Sequence, residues 1–208
     1  GTHFAQPTED AIHVAENLAA RFGLPKWRFT NSGTESTMDA FHIMRAITGR
    51  PLVIKIEGTY HGHHDSTMVS IFRSLDQLGP EHEPHRVPGS GIPQSMADML
   101  RLVPFNDLPA LERVLEQHRG QVAGMIMEPM MMNAGIIPPD PGYLQGVRDL
   151  TRQRPLQVLN LAEQNQVLLF INLLDPQHRD RRGFQNHATE RVGLLDVSPR
   201  RSDADQSN

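Results

Sequence analysis

The chain has 208 residues, enough for one domain with a core of its own, and its net charge of -4 is too mild to point to nucleic acid or an anionic membrane surface. It contains no cysteine, so neither a disulfide framework nor a thiolate metal site is available. No apolar run approaches the roughly 18 residues of a membrane span and no basic-then-apolar leader is visible, so a cytoplasmic protein is expected.

The opening residue is Gly1 and a helix start follows at once, which suggests a piece whose natural beginning lies upstream. Thr8 is placed to N-cap a helix carrying Ile12, Ala15, Leu18, Ala19 and Phe22 at three-to-four spacing, stopped by Gly23 with Pro25 beyond. Trp27 to Thr30 reads as a short strand. Thr34 to about Thr48 reads as a second amphipathic helix with Met38, Phe41 and Met44 on its inner side, closed by Gly49 and Pro51. Leu52 to Ile56 is a compact buried strand running into Glu57-Gly58-Thr59-Tyr60-His61-Gly62. Gly79 to Pro93, dense in proline and glycine, predicts a loop or flap. Asp107 caps a helix reaching about His118, Val122 to Met127 forms another buried strand ending in Glu128-Pro129, and Pro141 to about Gln153 gives a further helix. Helix and strand alternate, so the fold class is α/β. Gln166 to Ile171 offers one more strand. After Asp175 the apolar pattern fades into a polar, mixed-charge stretch expected to be loosely held.

Three stretches carry chemistry. Thr30-Asn31-Ser32-Gly33-Thr34-Glu35 sits at a strand-to-helix corner, where unpaired N–H groups and the helix dipole favour an anion. Gly33 allows close approach, and Ser32 and Thr34 add hydroxyl donors, so the corner can serve as a phosphate cup. Ser32-x-x-Glu35 is also a capping box, which needs no ligand. Tyr60 and His61 follow a strand end, where ligands of α/β sheets sit, and can offer a flat face to a planar ring. In "MIMEPMMMNAGIIPP", Asn133 can hydrogen-bond a ring substituent and Glu128 can orient its neighbours, with Met130 to Met132 as packing. His61-x-His63-x-Asp65 also resembles the first half of a metallo-β-lactamase-type H-x-H-x-D-H motif, with Ser66 where the last histidine would be; a metal-dependent hydrolase using these three residues is the lesser alternative.

Taken in order, "PTEDAIHVAENLAARFGLPKWRFTNSGTESTMDAFHIMRAITGR", "IKIEGTYHGHHDS", "VPFNDLPALERVLE" and "IMEPMMMNAGIIPPDPGYLQGVRDLT" resemble the class III pyridoxal-phosphate aminotransferases, with the nearest look to glutamate-1-semialdehyde 2,1-aminomutases. The resemblance covers residues 1–151. It implies an incomplete fold-type-I large domain, a homodimer in the intact family, pyridoxal 5'-phosphate as cofactor, and a small amino or keto acid substrate. The reaction it implies is transfer or internal shift of an amino group through a pyridoxamine form of the cofactor. By the same resemblance Ser32, Gly33 and Thr34 would hold the cofactor phosphate, Tyr60 would lie against the ring with His61 beside it, and Asn133 and Glu128 would stand near the cofactor.

Two family parts are not matched. The aspartate that keeps the pyridine nitrogen protonated is expected at a strand end in a "LLIFDEV" pattern, and this chain has "VLLFIN", ending in Asn172, with Asp175 off register. The Schiff-base lysine is expected further downstream, yet the chain's only lysines are Lys26 and Lys55. The expected organisation is a partial cofactor-binding domain over 1–151, a possible extra helix or strand over 152–175 and a poorly ordered tail over 176–208. The expected origin is a truncated, frame-disrupted or partial gene product. A remnant that binds phosphate or cofactor without catalysis is the main alternative. An exposed sheet edge and apolar patches are the expected cost.

Overall fold

The structure is a computed structural model. It describes residues 8–24 and 26–153 with their side chains, and the backbone of three strand segments at 157–161, 169–171 and 195–196. The chain divides into two compact units, one of residues 1–28 with 193–208 and one of residues 29–192.

In the smaller unit, helix α1 spans Glu9–Phe22. The Thr8 hydroxyl accepts from the Ala11 N–H at 3.3 Å, and Gly23, at φ +67°, returns its N–H to the Ala19 carbonyl. Both ends therefore stop where the sequence places them. The helix buries Ala15 fully but leaves Phe22 about half exposed. Strand β1 covers only Lys26–Trp27, shorter than the expected Trp27 to Thr30, because its partner β7 (Leu195–Asp196) offers just two antiparallel positions. Trp27 is buried, with its indole N–H on the Leu24 carbonyl at 2.7 Å. β7 is the one described segment beyond Asp175; the other residues expected to form a loose tail lie outside the described ones.

The larger unit is built on a five-stranded sheet in the order β3-β2-β4-β5-β6. Its strands are β2 (Leu52–Ile56), β3 (Leu100–Val103), β4 (Val122–Met127), β5 (Gln157–Leu161) and β6 (Leu169–Ile171). The first four run parallel and β6 runs antiparallel to β5. Every residue of β2 and of β4 is buried, as the unbroken apolar runs predict for parallel strands covered on both faces.

Helix α2 (Gly33–Thr48) covers one face, packing Ala40, Phe41 and Met44 on Val53, Leu100, Leu102 and Ile126. Helices α5 (Leu108–Gln117) and α6 (Tyr143–Arg152) cover the other, packing Leu111, Leu115, Tyr143 and Val147 on Leu52, Ile54, Ile56 and Met125. Two one-turn helices, α3 (Leu75–Leu78) and α4 (Gln94–Ala97), flank the predicted Gly79–Pro93 loop, which has no helix of its own.

Two expectations need correction. Strand β3 is not anticipated by the sequence reading, because Arg101 interrupts its apolar run; on this edge strand Arg101 turns aside, bonding the His118 ring at 2.7 Å and the Asp98 carbonyl at 2.9 Å. Met38 is 37 % exposed and does not share the core face with Phe41 and Met44. Three residues on α2 at three-residue spacing drift around the helix, and the first falls off the buried stripe. Phe72 and Leu75 are almost fully exposed apolar side chains.

Phe41 lies 1 % exposed at the centre of the α2 face. Phe41→Ala should cost about 3–5 kcal/mol of unfolding free energy in urea titration, the usual range for a truncated core aromatic; a loss below about 1 kcal/mol would show that α2 does not pack as described.

Candidate functional site

Three residues, 49–51, join α2 to β2, so helix and strand run in opposite directions. The amino end of α2 consequently stands at the carboxyl edge of the sheet, with the loops that follow β2 and β4. At this end the capping box is formed. The Ser32 hydroxyl accepts from the Glu35 N–H at 3.2 Å, and the Glu35 carboxylate accepts from the Asn31 N–H at 2.7 Å. The Thr30 hydroxyl donates to the Ser32 carbonyl at 3.0 Å and meets the Ser36 hydroxyl, so the corner is held from beneath.

The box does not use up the helix end. Among the described residues nothing accepts from the N–H groups of Gly33 and Thr34. Ser32 and Thr34 each receive a backbone N–H on the hydroxyl oxygen, which leaves their own protons to donate elsewhere. The corner thus presents up to four donors.

The loop after β2 is fastened to this turn. The Thr37 hydroxyl donates to the His61 carbonyl at 2.7 Å, and the His63 N–H donates to the Thr34 hydroxyl at 3.0 Å. Gly62, at φ +98°, lets the two backbones meet: a Cβ there would stand 2.9 Å from the Thr34 Cα and 2.9 Å from the Thr37 Oγ1. The Thr67 hydroxyl closes the loop on the Gly62 carbonyl at 2.8 Å. Tyr60 is left 38 % exposed, free to meet a ligand, whereas His61 is 2 % exposed. Among the described residues, neither ring nitrogen of His61 has a hydrogen-bond partner.

The loop after β4 is organised by Glu128, which is 2 % exposed. Its carboxylate accepts from the Met132 N–H at 2.7 Å and from the Asn133 amide at 3.2 Å, and Met131 and Ile137 exchange backbone bonds across the loop base. Glu128 therefore does orient its neighbours. Asn133 spends an N–H on it, which leaves its carbonyl oxygen available. Met131 packs, as expected, but Met130 is 38 % exposed. The two loops are neighbours: a Cβ on Gly58 would come 4.0 Å from the Met131 methyl.

Buried ionisable groups lie behind these loops. Lys55, the penultimate residue of β2, is fully buried, and its amine donates to the Val69 carbonyl at 3.1 Å and the Ile56 carbonyl at 3.3 Å. Burial lowers its pKa to about 7, against the opposing pull of Glu57 and Glu128. Burial, with the nearby charges of Lys55 and His64, keeps His61 well below the ordinary histidine value, so its ring is neutral at pH 7. His64, packed edge-on to Phe41, is lowered to about 4, chiefly by burial.

The alternative metal site is not assembled. His61 is buried while His63 and Asp65 are exposed, and among the described residues no group of three histidine, aspartate or glutamate side chains converges. The "VLLFIN" look-alike contributes β6, whose antiparallel run carries the chain towards the opposite edge of the sheet; Asn172 and Asp175 lie outside the described residues. Its place beside β4 is taken by β5, with Asn160 opposite Met127. Thr30, which opens the corner stretch read from the sequence, holds the site together with Thr37, Thr67 and Gly62, to which the sequence reading gave no role. The signal was the density of hydroxyls between Thr30 and Thr37 and the glycine between His61 and His63.

Residues 2–159 match the family model described as aminotransferase class-III. The chain belongs to that family. The match runs past the resemblance read over 1–151 and ends inside β5. The chain is 38 % identical, over 154 residues, to glutamate-1-semialdehyde 2,1-aminomutase 1 of Staphylococcus carnosus, covering 74 % of this chain and 34 % of that protein. It thus spans about a third of the length of the curated relatives it matches. Among solved structures it is similar to an omega-transaminase from Sphaerobacter thermophilus, with a TM-score of 0.68 and 39 % identity over 76 % of this chain and 36 % of that one. It is also similar to a glutamate-1-semialdehyde aminomutase from Pseudomonas aeruginosa, in a variant with one lysine replaced by alanine and in complex with PMP; the TM-score is 0.62, with 35 % identity over 74 % of this chain and 32 % of that one. The fold is that of the PLP-dependent transaminases, in part.

Two outcomes follow for this class-III chain. Gly62→Ala should cost about 2 kcal/mol or more in denaturant titration, since both the positive φ and the contact with the Thr34 backbone are violated; an unchanged midpoint would contradict the close approach. Stability should also rise with pH above about 7. The unfolded chain keeps the Lys55 proton up to about 10.5 and the folded chain gives it up near 7, so the unfolded state binds more protons in between. Lys55→Met should flatten that rise in urea titrations between pH 7 and 10.

Proposed function

We propose that this chain is the phosphate-binding part of a pyridoxal 5'-phosphate-dependent aminotransferase or aminomutase of the glutamate-1-semialdehyde 2,1-aminomutase type, and that it is catalytically incomplete by itself. The observation that carries the reading is the amino end of α2, where the N–H groups of Gly33 and Thr34 and the hydroxyls of Ser32 and Thr34 remain available beside the loop that exposes Tyr60. Donors without partners fit a phosphate, which only accepts. The similarity to an aminomutase variant that holds PMP despite losing a lysine favours a site that keeps its ligand without that residue.

In this reading Ser32, Gly33 and Thr34 hold the phosphate, Tyr60 covers one face of the ring, and the Asn133 carbonyl accepts from a ring substituent while Glu128 fixes Asn133. His61 backs the loop as a neutral ring. When bound, the cofactor supplies an electron-accepting ring that lets a proton leave the carbon carrying the amino group. The chain's own residues bind and orient. No lysine follows Lys55 to move that proton, and no aspartate stands in the family's pattern to hold a positive charge at the ring nitrogen. The substrate is a small amino or keto acid, the intact family's homodimer is the expected assembly, and the cytoplasm the expected compartment. No helix among the described residues is long and apolar enough to cross a membrane.

Titration with PMP, which has no aldehyde and so cannot bond to any lysine, tests the site alone. Saturable binding is expected, weakened about tenfold, or about 1.4 kcal/mol, in Thr34→Val; absence of saturable binding by the wild-type chain would remove the proposal. With pyridoxal phosphate and glutamate present, no turnover above the protein-free rate is expected. Measured amino transfer by the purified chain would refute its incompleteness.

A further inference from the structure

A lysine within a fully buried strand is costly. Neither form of the amine gains from an apolar interior, and a methionine or leucine would fill the same space without desolvation. What Lys55 does with its amine is specific. One bond goes to the carbonyl of Ile56, the last residue before the loop that carries Tyr60 and His61, and one to the carbonyl of Val69, the residue that ends it. Among the described residues no other side chain bonds both ends of this loop. Backbone pairing adds a single tie across the same gap, from the Gly58 N–H to the Ser70 carbonyl at 3.2 Å.

The loop needs such a fastening. Its far side is held to α2 through Thr37, Thr34, the close approach at Gly62 and the edge-on packing of His64 on Phe41. Ser70 and Phe72, just past the lysine's anchor, both sit at positive φ, at +53° and +51°, a conformation that non-glycine residues keep only when their surroundings enforce it. Glu57 and Glu128 act on the amine from the two strand ends, and Glu128 also shapes the Asn133 loop. One buried nitrogen therefore touches the loop at both ends and feels the carboxylate that organises the other.

We propose that Lys55 is the positioning residue of the cofactor loop: its buried amine ties the Ile56 and Val69 carbonyls and so fixes Tyr60 and His61 at the carboxyl edge of the sheet. The role of the loop towards a cofactor rests on the reading given under Proposed function; the fastening itself does not. Lys55 is not a capture site for an aldehyde here, since its amine is fully buried and engaged by two carbonyls.

The test is hydrogen exchange followed by mass spectrometry on the full chain, comparing wild type with Lys55→Met and with Lys55→Gln, which keeps an N–H donor but is too short to span both carbonyls. Exchange should quicken about tenfold or more in peptides covering residues 57–69 in both variants, while those covering β2 and β4 stay as slow as in wild type. In parallel, PMP affinity should fall about tenfold in Lys55→Met, with the affinity for inorganic phosphate, which needs only the α2 end, changing less than twofold. Unchanged protection of residues 57–69 in Lys55→Met overturns the proposal. So does global unfolding of both variants, because the lysine would then hold the sheet and not the loop. If the wild-type chain fails to bind PMP, the cofactor reading falls while the exchange result still decides the role of Lys55.

Discussion

The arrangement of the carboxyl edge depends on one junction, where the first turn of α2 meets the loop after β2. Two threonine hydroxyls make it. Thr37 reaches the His61 carbonyl and Thr34 receives the His63 N–H, and Gly62 provides the missing side chain that lets the backbones come together. The junction costs the helix end little. A hydroxyl that accepts from one N–H can still donate, so the anchoring of the loop and the donor character of the helix end are compatible in the same residue. The capping box beneath behaves likewise, satisfying the Glu35 and Asn31 N–H groups while leaving those of Gly33 and Thr34 open.

That compatibility bears on how the corner is read. A capping box and an anion site are alternatives only if they compete for the same donors. Here the box draws on the N–H groups flanking the corner, and those of Gly33 and Thr34 between them stay open to the proposed anion. Glu128 shows a similar division after β4, where a single buried carboxylate satisfies a backbone N–H and an amide and so determines which end of Asn133 remains available. Both loops are set by polar side chains, threonine hydroxyls after β2 and a buried carboxylate after β4.

Much of this was legible because local rules and the fold agree. Thr8, Gly23 and Gly49 mark helix limits by capping chemistry, and the unbroken apolar runs of β2 and β4 are what a parallel sheet covered on both faces requires. The candidate site residues could be named because the motifs occur together and in order. What was not legible is what depends on a neighbour distant in sequence. β3 carries Arg101 in a four-residue run, and only its place at the sheet edge makes an arginine tolerable there. The outward turn of Met38 could not be judged without the face α2 presents. The roles of Thr37 and Lys55 rest on carbonyls 24 and 14 residues further along the chain, contacts that no local pattern announces.

The reversal of β6 has a consequence for the order in which the sheet assembles. Parallel neighbours such as β2 and β4 can pair only after the chain between them has formed its helix and returned, a search over many residues. β5 and β6 are antiparallel and joined by residues 162–168, so their pairing is local, and hairpins of this kind close in about 1–10 μs. The quickest pairing in the sheet therefore belongs to the strands made last. During synthesis β2 and β4 must wait for their helices, and once β5 and β6 emerge they can pair before docking on β4, arriving as a preformed edge and not as two separate strands.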